Sequence, residues 1–157
     1  MKTQRKMYAY VRAWLLALAL VPLTPRLVGA QPAEARLVAI VSAQGTATEL
    51  SAGEFRQLLT GEKQRWKGGA KVAIALMKTT NPVGEATAQR VFRMTGNQLN
   101  KYWLALVFQG RAKAPVFFTS ETELAAFVRD TPGAIGVVSQ AAAAGQKIAT
   151  VEGKEIL

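Results

Sequence analysis

The chain has 157 residues, carries 20 lysines and arginines against 10 acidic residues, and contains neither cysteine nor histidine. Without cysteine the chain can form no disulfide framework and has no thiolate nucleophile. Without histidine it lacks the commonest general base, the Ser-His-Asp and Cys-His arrangements, and imidazole ligands for metals. No nucleophile–base pair can be named among the other side chains, so we expect a protein that is not an enzyme and needs no cofactor.

The first thirty residues have the three parts of a secretory signal peptide. The basic residues that open the chain, with no acid among them, are Lys2, Arg5, Lys6 and Arg12. Residues 13–23 are mostly apolar, and small residues follow at Val28, Gly29 and Ala30. The apolar run is shorter than the roughly 20 residues that span a bilayer. We therefore predict cleavage after Ala30, with an uncleaved N-terminal anchor as the alternative.

Removal of residues 1–30 would leave residues 31–157, which have the length of one ordinary domain. Five basic residues leave with the signal segment, so fifteen remain against ten acids and the net charge falls to +5. The densest basic patch, residues 63–67, is short, whereas nucleic-acid binding favours clustered basic residues with interleaved aromatics. We expect a periplasmic or secreted protein that is not embedded in the membrane after cleavage and binds no nucleic acid.

Strand and helix patterns alternate from the start of the mature chain. Residues 36–41 form a short β-prone apolar run that is typical of a buried strand, and residues 42–48 predict a loop. Ser51 stands three residues before Glu54 in the capping-box pattern. The helix that Ser51 opens is predicted to end at Gly61, because glycine is the preferred residue just beyond a helix.

The same alternation continues to the end of the chain. Residues 71–77 predict another strand, after which Asn81 and Pro82 predict the start of a helix that runs to about Met94. Asn97 is the predicted N-cap of the next helix. The remaining predicted elements are a short strand at 115–118, a helix at 120–130, a strand at 134–138 and a terminal strand within 147–157. Such alternation predicts a layered α/β sheet. The large aromatic residues expected in its core, rather than at a ligand, are Trp66, Trp103, Phe108 and Phe127.

Three stretches of the chain, taken in order, carry a family pattern. The first is LSAGEFRQLLTGEKQRWKGG at residues 50–69, where a helix runs into a glycine and then a tryptophan. The second is YWLALVFQGRAKAP at 102–115, and the third is VRDTPGAIGVVS at 128–139, with its moderately specific Pro-Gly-Ala-Ile-Gly run. Together they resemble one lobe of the phosphate-type periplasmic binding proteins of the type II class, over nearly all of the mature chain.

The resemblance implies a single three-layer α/β lobe of a type II periplasmic binding protein, with a small mixed sheet flanked by helices. It also implies a non-enzymatic receptor for phosphate or a related oxyanion, whose partner is a membrane transporter of the ABC type or a sensor protein. Proteins of this family hold the anion in the cleft between two lobes. This chain has about half of the expected length and resembles the second lobe alone.

The resemblance also suggests where an anion would bind. The second lobe of the family has an arginine shortly before Ser-Gly-Thr at a helix start. The matching candidates for ligand binding in this chain are Lys78, Thr79, Thr80 and Asn81. Asn81 stands roughly where the family has serine, but Pro82 replaces the glycine and has no N–H, and Val83 replaces the threonine and has no hydroxyl. A helix N-terminus still offers unpaired N–H groups and partial positive charge to an anion.

Two alternatives stay open at this point. Thr80 and Asn81 could serve only as helix caps. A single lobe would also leave a bound phosphate solvated on one side, so tight capture by a monomer is not expected. The chain is then either a solute-binding protein or an exported interaction module, in which the former ligand cleft has become a surface for another lobe, a sensor domain or a second copy.

Overall fold

The computed structural model describes residues 36–157, so the predicted signal segment lies outside the described residues. Within them, six strands form one sheet: β1 Leu37–Val41, β2 Glu49–Leu50, β3 Ala73–Met77, β4 Val116–Phe118, β5 Ala134–Ser139 and β6 Ile148–Val151. Their order across the sheet is β2-β6-β1-β5-β3-β4. Strand β1 is antiparallel to both of its neighbours, whereas the other neighbouring strands are parallel. The predicted mixed sheet is confirmed.

The three strands at the centre of the core are buried on both faces. Every residue of β1 is buried, as are four of the five residues of β3 and five of the six residues of β5. A strand that is covered on both faces needs apolar side chains at consecutive positions, which is why these segments form continuous apolar runs. Their predicted positions are confirmed to within two residues. Strand β2 has only two residues and no such run, and it is missing from the prediction.

Four α-helices accompany the sheet in the described part of the chain: α1 Ala52–Leu59, α2 Pro82–Thr87, α3 Gly96–Phe108 and α4 Glu121–Asp130. The Ser51 hydroxyl accepts a hydrogen bond from the Glu54 N–H at 3.1 Å, so the predicted cap of α1 is confirmed. Gly61 follows this helix with a φ of 76°, a left-handed conformation that glycine adopts without strain. No helix within residues 36–157 is both long and apolar enough to cross a membrane.

The predicted cap of α3 is wrong. The N-cap is Thr95, whose hydroxyl accepts from the Gln98 N–H at 3.3 Å, while the Gln98 side chain accepts from the Thr95 N–H at 2.8 Å. This reciprocal capping box satisfies two backbone N–H groups at once. Asn97 lies inside the first turn that the box closes, and its side chain is exposed.

Helix α2 changes its geometry before it ends. It is α-helical from Pro82 to Thr87 and then continues as a π-helical segment, Ala88–Phe92, after which Arg93 adopts a left-handed φ of 58°. The helical stretch therefore stops close to Met94, as predicted. The π-helical segment was not apparent from the sequence, because periodicity does not distinguish one wider turn from an α-helical one.

Helices cover both faces of the sheet. The connection from β3 to β4 runs through α2 and α3, whereas the connection from β4 to β5 runs through α4 in the opposite direction along the sheet. Because crossovers between parallel strands are almost always right-handed, these two connections put their helices on opposite faces. On one face, Leu124 and Val128 of α4 pack so closely on Gly136 that a Cβ atom there would come within 2.7 Å of Leu124. The predicted three-layer arrangement is confirmed.

Three of the four aromatic residues expected in the core contribute to it. Trp66 and Trp103 are buried, and Phe127 packs half-buried against the core. The Trp66 indole N–H donates to the Gly133 carbonyl at 2.8 Å. The prediction is wrong for Phe108, which is 83% exposed. The buried residues of α3 all lie in its first eight positions, so the end of this helix, where Phe108 stands, extends beyond the core.

Candidate functional site

The predicted ligand-binding residues, Lys78, Thr79, Thr80 and Asn81, form one turn between β3 and α2, which we call the 78–81 turn. The Asn81 N–H donates to the Lys78 carbonyl at 2.9 Å and so closes the turn. The Lys78 N–H donates to the Phe118 carbonyl at 2.8 Å and so ties the turn to the neighbouring strand. All four residues therefore lie together at one edge of the sheet.

This edge is the one at which the parallel strands end. Strand β3 lies between β4 and β5, and Met77 pairs with Phe118. Continuing the register by one residue puts Lys78 level with Thr119, about 5 Å away across the strand spacing, and the end of β5 at Ser139 lies on the other side. In open α/β sheets, ligands bind outside the carboxyl ends of the strands. The 78–81 turn thus lies where this class of fold usually binds its ligands.

The backbone of α2 offers fewer donors than its position as a helix start suggests. Pro82 has no N–H, and the Val83 N–H donates to the side-chain oxygen of Asn81 at 2.8 Å. The third residue, Gly84, is buried. The capping role of Asn81 is therefore confirmed for its side-chain oxygen. Its amide NH₂ remains as the group that can donate to a ligand.

The other three side chains of the turn add charge and hydroxyl groups. Lys78 and Thr80 are exposed, and neither side chain has an ion pair or hydrogen bond within residues 36–157. Thr79 is half-buried, and its hydroxyl accepts from the Asn100 side-chain amide at 3.2 Å, which leaves the hydroxyl proton free to be donated. One full positive charge, two hydroxyls and one amide thus lie within four residues. These are the donors that an oxyanion accepts.

Ser120 is a neighbour of the turn that the sequence did not assign to the site. It is the N-cap of α4, it is half-buried, and its hydroxyl makes no capping hydrogen bond. It follows Thr119, which stands level with Lys78. The sequence does contain a signal for Ser120, because β3 and β4 are each followed directly by the start of a helix. Since parallel strands end at the same edge of a sheet, the two helix starts lie at that edge together.

Two carboxylates at this edge are engaged by the protein itself. Glu121 of α4 accepts from the Ser139 N–H at 2.6 Å and so ties α4 to β5. Glu85 of α2 accepts from the Gly96 N–H at 3.1 Å and from the Gln89 side chain at 2.9 Å. Their negative charge weakens the attraction of this edge for an anion. No three acidic side chains within the described residues converge as ligands for a metal ion.

The 78–81 turn lies apart from a cavity that the structure shows within the described residues. That cavity, of about 440 Å³, borders residues 71–74 at the amino end of β3, which is the opposite edge of the sheet. Lys78 and Thr80 stand instead on the open surface. An anion at the turn would therefore stay partly hydrated unless a second surface covered it.

Two solved structures of bacterial proteins have a fold similar to that of this chain. A crystal structure of an ABC-type phosphate transport receptor from Vibrio cholerae matches with a TM-score of 0.61 and 13% identity, over 78% of this chain and 48% of that one. A crystal structure of PstS from Borrelia burgdorferi matches with a TM-score of 0.54 and 18% identity, over 76% of this chain and 48% of that one. No protein-family model and no curated protein sequence matches the chain.

These matches concern the fold and not the chemistry of the site. At 13% and 18% identity the likeness is one of architecture, and this chain spans about half of the length of each receptor. The chain therefore has the fold of one lobe of a PstS-like periplasmic binding protein.

Proposed function

We propose that this protein is a non-enzymatic solute-binding protein for phosphate or a related oxyanion, and that the 78–81 turn contacts the anion. The observation that carries the proposal is the free cation at Lys78, beside two threonine hydroxyls and the Asn81 amide, at the carboxyl edge of the parallel strands. The fold that these residues belong to supports it, because phosphate receptors share that fold.

The proposal includes a location and a partner. The signal-peptide pattern of residues 1–30 favours export, so we propose that the mature chain works in the periplasm or outside the cell. One of the matching structures is an ABC-type phosphate transport receptor. By that likeness, we propose that this chain serves an ABC-type transporter or a sensor protein.

The affinity should be modest when the chain is alone. The anion would meet one lysine, two hydroxyls and one amide on an open surface, where an ion pair is worth about 0–1 kcal/mol. Hydrogen bonds to exposed groups compete with water and add little more. We expect a Kd of about 1 mM, equivalent to about 4 kcal/mol of binding free energy.

Calorimetry on residues 31–157 in a phosphate-free buffer tests the proposal. Inorganic phosphate should give saturable heat, and Lys78→Ala should weaken binding by up to about fivefold, the equivalent of about 1 kcal/mol. Asn81→Asp should also weaken binding, because aspartate keeps an oxygen to cap α2 but replaces the amide donor with a negative charge. The matched control is Lys154→Ala, which removes one exposed positive charge just after β6, three strands away from β3 in the sheet. An equal loss in Lys154→Ala would mean that only the net charge matters, and the proposed site would be wrong.

A second candidate is an exported interaction module without ligand capture. The end of α3 exposes three large apolar side chains, Leu104 at 59%, Val107 at 41% and Phe108 at 83%. Apolar groups gathered on one exposed helix end are typical of contact surfaces. No heat with phosphate up to several millimolar, together with concentration-dependent association that Phe108→Ser removes, would favour this function over the first.

A further inference from the structure

A cavity lies at the amino end of β3 within residues 36–157. It has a volume of about 440 Å³ and lies between the loop after α1, the residues that enter β3, and the loop before β4. Ligand pockets in proteins commonly have volumes of about 300–1,000 Å³. The cavity is therefore large enough for a small organic molecule.

The charged residues that line this cavity all carry the same sign: Lys63, Arg65, Lys71 and Lys113. No carboxylate belongs to the lining. Lys63 pairs with Glu54 at 3.2 Å, and Arg65 donates to the Gly69 carbonyl at 2.9 Å. Lys71 and Lys113 are exposed and have no ion pair or hydrogen bond from their side chains within the described residues. Two cations thus remain available to a guest.

The cavity wall also contains apolar surface. It includes Val72, Ile74, Val116 and Pro132, and Val116 is 42% exposed on the edge strand β4. When a ligand covers apolar surface of this kind, the binding free energy becomes more favourable by about 25 cal/mol per Å². A hydrated inorganic ion would leave that surface uncovered. The combination favours a molecule with both an apolar body and an acidic group.

Hydrogen bonds between the walls hold the cavity in shape. The Gln64 side-chain amide donates to the Arg111 carbonyl at 2.7 Å and so joins the two loops that face each other. The Tyr102 hydroxyl donates to the Thr60 carbonyl at 2.8 Å and ties α3 to the end of α1. A site that is formed before the ligand arrives loses less conformational entropy on binding.

We propose that this cavity binds a small organic anion, in which an apolar body rests on Val72, Ile74 and Val116 while a carboxylate, sulfonate or phosphate group meets Lys71 and Lys113. The site is separate from the 78–81 turn. Lys71 and Lys78 stand at opposite ends of β3, about 20 Å apart at the rise of an extended strand. Ligand binding at the cavity and phosphate binding at the 78–81 turn can therefore be tested independently.

A matched pair of fluorescent dyes tests the proposal on residues 31–157. Anilinonaphthalenesulfonate carries an aromatic body and a sulfonate, and phenylnaphthylamine carries the same kind of body without the charge. We expect the sulfonate dye to bind one per chain, and the double variant Lys71→Gln/Lys113→Gln to weaken it about tenfold, since each exposed pair contributes modestly. Binding of the uncharged dye should change less than twofold in the same variant.

Two further variants separate the cavity from other surfaces. Ala114→Phe fills the cavity from an exposed lining position without changing its charge, and it should displace the sulfonate dye. The double variant Lys101→Gln/Lys154→Gln removes the same charge elsewhere on the surface and should leave binding unchanged. The proposal is overturned if the cavity variants bind as tightly as the parent. It is equally overturned if Phe108→Ser, at the exposed end of α3, abolishes binding.

Discussion

Gly84 shows how closely the 78–81 turn is packed against the helix that follows it. A Cβ atom at this position would lie 2.2 Å from the Lys78 carbonyl oxygen and 2.8 Å from the Met77 carbonyl oxygen. Both are backbone atoms, which cannot move aside as the end of a flexible side chain can. The absence of a side chain at residue 84 is therefore what allows α2 to start directly on the end of β3.

Replacing Gly84 with alanine has two opposing effects on stability, and their magnitudes decide the net change. Helix propensity alone predicts that Gly84→Ala stabilises the protein by about 1 kcal/mol. Overpacking against backbone costs typically 1–3 kcal/mol and here also displaces the turn. We expect a net destabilisation of about 2 kcal/mol, measured by urea unfolding, together with weaker phosphate binding.

The chain provides a control for this substitution. Gly53 lies in the first turn of α1, is exposed, and would place a Cβ no closer than 3.9 Å to any neighbour. Because alanine has the higher helix propensity and meets no close contact here, Gly53→Ala should stabilise the protein by up to about 1 kcal/mol. Equal effects of the two substitutions would show that close packing at Gly84 has no energetic importance.

At the same scale, the sequence predicted the position of the candidate site better than its chemistry. A helix-start pattern directly after an apolar strand was enough to bring Lys78 to Asn81 together. The sequence indicated that Asn81 caps α2, but it could not show that Asn100 reaches Thr79 from α3. That contact depends on the orientation of side chains from separate elements, which periodicity does not encode.

At the scale of elements, the start of α3 shows why caps are harder to predict than helices. Thr95 and Asn97 are both residue types that cap helices well. What distinguishes them is Gln98, which completes a box with Thr95 and has no such relation to Asn97. The prediction considered the residue type alone and so chose a position two residues too late.

Two of the helices with hydroxyl N-caps, α3 and α4, give a direct comparison. Thr95→Ala should destabilise the protein by about 1 kcal/mol, because it removes a capping bond that the structure contains. Ser120→Ala should change stability by less than about 0.5 kcal/mol, because the Ser120 hydroxyl caps nothing. Urea midpoints at constant m-value measure both. A larger loss for Ser120→Ala than for Thr95→Ala would contradict this assignment of the caps.

At the scale of the whole molecule, alternation of strands and helices predicted the layered class, but it could not give the order of the strands. The chain places β1 between β5 and β6, antiparallel to both, so that its partners come from the last part of the sequence. Nothing local to residues 37–41 specifies those partners. Only the resemblance to a known lobe pointed to a mixed sheet. The burial of both faces explains why the buried positions of the central strands carry no polar side chain.

Because the chain contains neither histidine nor cysteine, the stability of the folded protein should depend on pH in a simple way. No side-chain type in this chain has an ordinary pKa between about 6 and 8, so stability should be constant across that range. Hydrogen bonds from Lys67 and Lys63 lower the pKa of Glu54, and a hydrogen bond from Arg129 lowers the pKa of Asp130. A carboxyl group whose pKa is lower in the folded state adds stability above its unfolded pKa. That contribution is lost as the pH falls through the folded value.

We therefore expect equal urea midpoints at pH 6, 7 and 8 and a decline that begins below about pH 5. Glu54→Gln should be less stable than the parent at pH 7 and should converge with it in acid, because the parent carboxylate is then protonated as well. Glu49→Gln provides the control, since the Glu49 side chain forms no ion pair or hydrogen bond within residues 36–157. It should be as stable as the parent at pH 7 to within about 0.5 kcal/mol. A step in stability between pH 6 and 8 would contradict this account, because it would require a side chain that titrates in that range, and the sequence supplies none.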